Sequence, residues 1–272
     1  MSDLATDPAY LRYQYGDAEQ LRIRQESHRL YSERPNAAFF EWIVDRLAPA
    51  PGHVVLDAGC GPGTYHALLH LRRARVVAFD ASPGMAREAQ GQATREGLAA
   101  AILQADVQAT PVKDGVCDRV LAAHMLYHVP DRAKALGELR RVLRPGGRVV
   151  LVTGAGSVSR LHEVHGRAAR AIGYSPTDGP GARFSLAHLD LVREVFPTAE
   201  RHVFPNAFRF PTAEAVMRYY ASGQVNQVRE RQADGGHRRR LLPMVEAEVR
   251  TIVEREGVFR EEKDNGCFVA DV

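Results

Sequence analysis

Apolar residues in this chain fall into short, nearly continuous runs separated by longer amphipathic stretches, and the alternation begins only after residue 50. The runs are His53-Val54-Val55-Leu56-Asp57, Arg75–Asp80, Ala101–Asp106, Cys117–Ala123 and Gly147–Thr153. Runs without polar alternation suit strands covered on both faces, as in a parallel sheet. The intervening stretches predict helices, which makes the segment a series of strand–helix units. The clearest helix is Asp131 to Leu143. Leu136, Leu139 and Leu143 recur there at helical spacing, and Arg144-Pro145-Gly146-Gly147 stops it.

The flanks read differently. Leu21 to Tyr31 carries no Gly or Pro and predicts a helix broken at Pro35-Asn36. Ala37 to Leu47 predicts a second, ended by Pro49-Ala50-Pro51-Gly52. Residues 154–195 read as a Gly/His/Arg-rich insertion and Ala199–Phe210 as a sixth strand. Thr212–Glu256 reads as two helical stretches split near Asp234-Gly235-Gly236, and Gly266–Val272 as a seventh strand. The expected organisation is an N-terminal helical lid over 1–50, an α/β core over 51–154, and a cap insertion with the last core strands over 155–272.

Composition narrows the function classes. Of 272 residues, 45% are hydrophobic and 25% charged, as in an ordinary globular protein. The net charge of +3 is small and dispersed, which argues against nucleic acid as a partner. The one dense basic run, His237-Arg238-Arg239-Arg240, reads as the solvated face of a helix. Cys60, Cys117 and Cys267 form no CxxC pair, against both a disulfide framework and a zinc site. The N-terminus has no signal-peptide pattern and no window is apolar enough to span a membrane, so a cytoplasmic location is expected.

The segment with the most chemistry is Val54-Val55-Leu56-Asp57-Ala58-Gly59-Cys60-Gly61-Pro62-Gly63-Thr64, a strand running into a glycine turn and then a helix. Glycines let a ligand approach the backbone, and N–H groups at a helix start suit a carboxylate. The spacing is GxGxG, not the GxGxxG of a pyrophosphate cradle, and Pro62 removes one donor. Asp80, closing the second strand, can accept both ribose hydroxyls of an adenosine. Asp106, closing the third, can accept from an adenine amino group.

With these residues in place the chain resembles the class I S-adenosylmethionine (SAM)-dependent methyltransferases over roughly residues 53–153. DAGCGPG is similar to their glycine motif, FDASPGM to their ribose-binding turn, and LRRVLRPGGRVVLV to the fifth-strand entry of the ubiquinone/menaquinone-type branch. The resemblance implies a Rossmann-like seven-stranded sheet with the last strand antiparallel, and SAM as cofactor. It implies cofactor contacts from Asp57, Gly59, Gly61, Gly63, Asp80, Ala81, Met85, Asp106 and Val107, with His124 beside the transferred methyl. Tyr13-Gln14-Tyr15-Gly16-Asp17 resembles an aromatic lid in which a tyrosine, here Tyr15, reaches the SAM.

The residues just after strand four disfavour several branches. Ala123-His124-Met125-Leu126 stands where amino-methylating nucleic-acid enzymes carry (D/N/S)-P-P-(Y/F/W), and no cysteine comes after a proline as in cytosine C5 enzymes. The carboxylates of catechol-type magnesium sites are absent there too, and His162 with His165 lacks a third ligand, so no metal is expected. A small-molecule acceptor remains. His124 and His128 are candidate bases, because an imidazole titrates near ~6.5. Arg24, His28 and Tyr31 share one helical face and are candidate acceptor contacts, as are His162 and His165. The rivals are a tRNA or rRNA methyltransferase, a nicotinamide oxidoreductase and a non-catalytic SAM-binding module. The acceptor's identity, the atom methylated and the oligomeric state stay open.

Overall fold

Strand formation tracks the apolar runs closely. In the computed structural model, which describes residues 18–156, 159–178, 182–232 and 234–272, they become β1 (Val54–Ala58), β2 (Arg75–Asp80), β3 (Ala100–Gln104), β4 (Cys117–Ala123) and β5 (Leu143–Gly154). With β6 (Glu200–Phe204) and β9 (Asn265–Asp271) they form one seven-stranded sheet in the order β3-β2-β1-β4-β5-β9-β6. Strand β9 runs antiparallel to both β5 and β6, and the pairs among β1 to β5 are parallel. The expected reversed last strand is therefore present. Strand order reverses between β1 and β4, the switch point where open α/β sheets bind ligands at their carboxyl ends.

The continuous apolar runs have a direct physical outcome. Successive side chains point to opposite faces of a sheet, so β1, β2, β4, β5 and β9 each feed two cores. Leu56, Val120, Val149 and Leu151 enter one, with Leu136 and Leu139 of the helix Arg132–Val142. Val55, Leu121, Val150 and Val152 enter the other, with Phe39, Ile43, Val44 and Leu47 of the helix Asn36–Leu47. Arg132–Val142 is N-capped by Asp131, whose carboxylate accepts from Lys134 N at 2.9 Å.

The chain divides into two compact units. The sheet unit comprises Ala37–Ala155, Phe184–Phe204 and Asn265–Val272; the helical unit comprises Met1–Asn36, Gly156–Arg183 and Pro205–Asp264. The N-terminal segment thus divides at Asn36 and not at residue 50, because the apolar stripe of Asn36–Leu47 completes the sheet's core.

Two further expectations change. The run Ala199–Phe210 is two strands. Pro205 has no N–H for a ladder, and after it Asn206 turns the chain, its Oδ1 accepting from its neighbour Ala207 N at 2.9 Å. Strand β7 (Ala207–Phe210) then pairs antiparallel with β8 (Phe259–Glu262) in a separate two-stranded ribbon. The insertion 154–195 contains two helices, Arg160–Ala171, N-capped by Ser159, and Leu189–Val195.

Among the described residues, four longer helices shape the helical unit: α1 (Ala18–Tyr31), α2 (Arg160–Ala171), α3 (Ala213–Ala221) and α4 (Gly236–Glu256). The short 3-10 turn Gln224–Asn226 joins them. Their shared core holds Leu161, Val164, Phe208, Phe210, Val216 and Leu241.

Candidate functional site

Residues at the carboxyl ends of β1, β2, β3 and β4 build the site in the sheet unit. After β1 the chain turns through Gly59, at φ +69, whose N–H donates to Phe79 O at 2.8 Å. A Cβ at Gly59 would lie 2.9 Å from the Cβ of Met125, just beyond β4, so this glycine allows the two switch-point loops to meet. Gly61 sits at φ +54, and a Cβ there would meet nothing within 4 Å. The backbone at Gly61 therefore borders open space, the cradle expected of a bound ligand. Gly63 backs onto the His66 imidazole.

Asp80 ties this loop to the next strand. Its Oδ2 accepts from Gly61 N at 2.9 Å and its Oδ1 from Ser82 N at 2.8 Å. Burial pushes the Asp80 carboxyl above its ordinary range; the two backbone N–H groups and His128 pull it down, while Asp57 pushes it up. Each carboxylate oxygen keeps a lone pair free, the arrangement a vicinal diol requires. Ala81 is exposed and Met85 half-buried, in the turn and helix start beyond β2, with Ser82 Oγ accepting from Met85 N. Asp106 lies two residues beyond β3, where it caps the short turn Val107–Ala109 and accepts from Gln108 N at 2.8 Å. Asp106 is exposed and Val107 buried. The strand ends thus bring together Gly61, Asp80, Ala81, Met85 and Asp106, and these residues fit an adenosine-bearing cofactor.

Asp57 behaves differently from the expectation of a ligand contact. It is 1% exposed, and its Oδ2 lies 3.3 Å from Nε2 of the equally buried His66. Among the described residues, neither carboxylate oxygen of Asp57, neither ring nitrogen of His66 and not the Tyr65 hydroxyl has a hydrogen-bond partner. The pair stands behind the glycine loop, and burial followed by the field of Asp57 pushes the Tyr65 hydroxyl up. Sequence reading missed His66 because no motif marks a histidine on the short helix after the turn.

His124 caps β4 with a left-handed backbone, φ +54, and donates its N–H to Val152 O at 3.0 Å. Its ring lies 6.2 Å from Phe39, and burial holds the imidazole down to about 4. At neutral pH it is an uncharged acceptor. His128, in the turn after it, packs edge-on to Tyr127 at 4.5 Å and is near enough to influence Asp80.

The remaining candidates lie in the helical unit. The face of α1 bearing Arg24, His28 and Tyr31 is half-buried, whereas Leu30 of the more apolar stripe is 49% exposed. His28 packs edge-on to Phe208 at 4.9 Å and Tyr31 against Phe210 at 5.0 Å. His165 is fully buried, its ring bonded to Tyr220 Oη at 2.7 Å and Gln227 O at 3.0 Å, which gives it a structural part. His162 lies 6.4 Å from it, ring to ring. Tyr15 falls outside the described residues. Among the described residues, no three His, Cys, Asp or Glu side chains converge as metal ligands, and no helix is long and apolar enough to cross a membrane.

The basic run at 237–240 is split: His237 is buried and Arg238 half-buried, while Arg239 and Arg240 are exposed. His237 is 2% exposed and bonds Asn226 Oδ1 at 2.9 Å. Arg238 donates to Ala221 O, Arg239 pairs with Asp234, and Arg240 donates to Ile172 O and Tyr174 Oη. Arg239 and Arg240 thus keep the expected solvated face, and His237 departs from it.

Residues 56–151 match the family model described as a methyltransferase domain. The chain is 41% identical over 108 residues to demethylmenaquinone methyltransferase of Thermus thermophilus, covering 39% of this chain and 49% of that one. It is 38% identical over 110 residues to malonyl-[acyl-carrier protein] O-methyltransferase of Pseudescherichia vulneris, covering 40% and 42%. The chain thus spans less than half the length of these curated relatives. The YcgJ protein of Bacillus subtilis shares the fold, with a TM-score of 0.60 at 17% identity over 86% of this chain and 98% of that one. The likeness to methyltransferases is thus carried by residues 56–151, which include the glycine loop, Asp80, Asp106 and His124.

Proposed function

We propose that the protein transfers a methyl group from SAM to an O, N or activated C atom of a small molecule, in natural-product or cofactor biosynthesis. The observation that carries this reading is the Asp80 carboxylate bonded to both Gly61 N and Ser82 N beside open space at Gly61. Asp80 would hold the ribose, Ala81 and Met85 would flank the adenine, and Asp106 with Val107 would meet its edge. Gly59, Gly61 and Gly63 would leave room for the methionine end. SAM supplies an electrophilic methyl on a sulfonium centre. The chain's own contribution is alignment, which in well-oriented reactants contributes roughly 7–11 kcal/mol, and exclusion of water. For a hydroxyl acceptor, His124 would take the proton, its uncharged ring fitting that part. The relatives' names, acting on a demethylmenaquinone and on a malonyl-carrier protein, support small or carrier-borne acceptors.

Each arginine of the basic run at 238–240 already has a hydrogen-bond partner within the chain, which weakens the sequence support for a tRNA or rRNA substrate. The GxGxG spacing disfavours nicotinamide chemistry. The test is calorimetric titration with SAM and S-adenosylhomocysteine, then detection of S-adenosylhomocysteine formed in the presence of candidate acceptors. Binding without turnover on any acceptor would favour a non-catalytic SAM module.

A further inference from the structure

Only three of the 36 Lys and Arg side chains are lysines, and one of them, Lys263, stands directly after β8. Its backbone N–H donates to Asn206 O at 2.9 Å. Its Nζ lies 2.8 Å from His28 Nε2, also touches Nδ1 of that ring, and sits 4.5 Å over the centre of Phe208. The end of α1 is fastened to β7 and β8, which fixes the imidazole against the amine. Ser32 bridges to Phe208, and Glu33 N donates to Ala207 O at 2.8 Å. The Glu33 carboxylate accepts from Arg260 at 2.9 and 3.3 Å.

Among the described residues, Lys263 has no counter-ion. Burial alone pushes its amine down to about 7, with no carboxylate of those residues opposing it. The acids of its own strand end are engaged elsewhere: Glu261 accepts from Leu161 N, Glu262 from Arg260, and Asp264 from Asn206 N. Aromatic rings line the surroundings. Tyr219 lies 5.0 Å from Phe208 and 5.6 Å from Phe210, and Tyr31 lies 5.0 Å from Phe210. Lys263, His28, Tyr31 and Tyr219 are all half-buried, so the cluster is reachable. An amine and an imidazole facing each other without an anion, beside the half-buried rings of Tyr31 and Tyr219, are complementary to a planar molecule with an acidic group.

We infer that Lys263 and His28 bind the acidic group, a phenolic or enolic hydroxyl or a carboxylate, of a planar small molecule that packs against the half-buried Tyr219. For a hydroxyl, the O–H bond breaks, its electron pair stays on oxygen, and the proton goes to the uncharged Lys263 amine. Oxyanion and ammonium are then left paired.

The test titrates 4-nitrophenol into the full-length chain at neutral pH and monitors its phenolate absorbance, with S-adenosylhomocysteine affinity measured in parallel. Wild type is expected to bind the phenol saturably with a gain in phenolate band. Lys263→Met should weaken binding by at least about tenfold, as expected for a lost charged hydrogen bond, and Lys263→Arg should restore it to within a few-fold. S-adenosylhomocysteine affinity should stay unchanged in both variants. Absence of saturable binding to wild type, or equal binding by Lys263→Met, would overturn the inference. Phenol binding without S-adenosylhomocysteine binding would instead leave this site standing and remove the methyltransferase reading.

Discussion

Asp80 and Gly61 are bonded to each other, carboxylate to backbone N–H at 2.9 Å, so the residue expected to hold the ribose also holds the loop expected to admit the cofactor. The two functions cannot be separated by mutation. Asp80→Ala should weaken SAM binding by roughly 10- to 100-fold, since bonds to a charged group contribute about 1.5–3 kcal/mol. Asp80→Asn should lose nearly as much, because an amide offers one acceptor oxygen where two N–H groups need one each. Calorimetry on both variants checks this; Asn behaving as wild type would contradict it.

Gly61 separates ligand space from protein packing. A side chain there meets no protein atom within 4 Å, so Gly61→Val should fold, at a cost of about 1–2 kcal/mol for the left-handed backbone. SAM binding should nevertheless be abolished. Thermal melting and calorimetry on the same sample test both halves.

His124 carries a pH signature. Burial lowers its pKa from about 6.5 to about 4. The unfolded chain therefore takes up a proton as pH falls through 6.5, and the folded chain does not until about 4. Stability should fall with pH across that window and level off below it, and His124→Asn, which tolerates the left-handed backbone, should remove that part of the slope. With a hydroxyl acceptor, kcat/KM should lose activity near pH 4 and not near 6.5. Denaturant melts and rate profiles across the range are the checks.

Much of the site was legible because its residues sit at strand ends, where local pattern and position coincide. Asp80, Gly61 and Asp106 come directly after apolar runs, so finding the strands finds the residues. His66 and Lys263 carried no such mark. Asp57 looks like a ligand contact in the motif, yet its depth behind the loop depends on Tyr65 and His66 packing over it. Lys263 acquires its character from His28, 235 positions away, and from Phe208 on another strand. The sixth strand misled because apolar pattern runs straight through Pro205, while the ladder does not. In the run at 237–240 charge reads correctly as solvent for Arg239 and Arg240, while the burial of His237 depends on Asn226, a partner that only the tertiary structure supplies.

That run supplies a further prediction. Arg240→Ala removes hydrogen bonds to Ile172 O and Tyr174 and a cation–π contact with Tyr174 at 4.9 Å, and should lower the melting temperature. It should leave affinity for RNA unchanged, measured by filter binding against a tRNA mixture. A large loss of RNA affinity would revive the nucleic-acid reading.

Metal removal should have no effect. Among the described residues no ligand set converges, so SAM turnover, once an acceptor is found, should survive exhaustive EDTA treatment. Loss with chelator and recovery with added magnesium or zinc would contradict this.

The most direct measurement is a calorimetric titration of the full-length protein with SAM, S-adenosylhomocysteine and NAD, repeated on Asp80→Ala. The expected result is one molecule of SAM or S-adenosylhomocysteine bound per chain, no NAD binding, and roughly 10- to 100-fold weaker SAM binding in the variant. Binding of NAD in place of SAM, or SAM affinity untouched by Asp80→Ala, would contradict the assignment of this site to SAM.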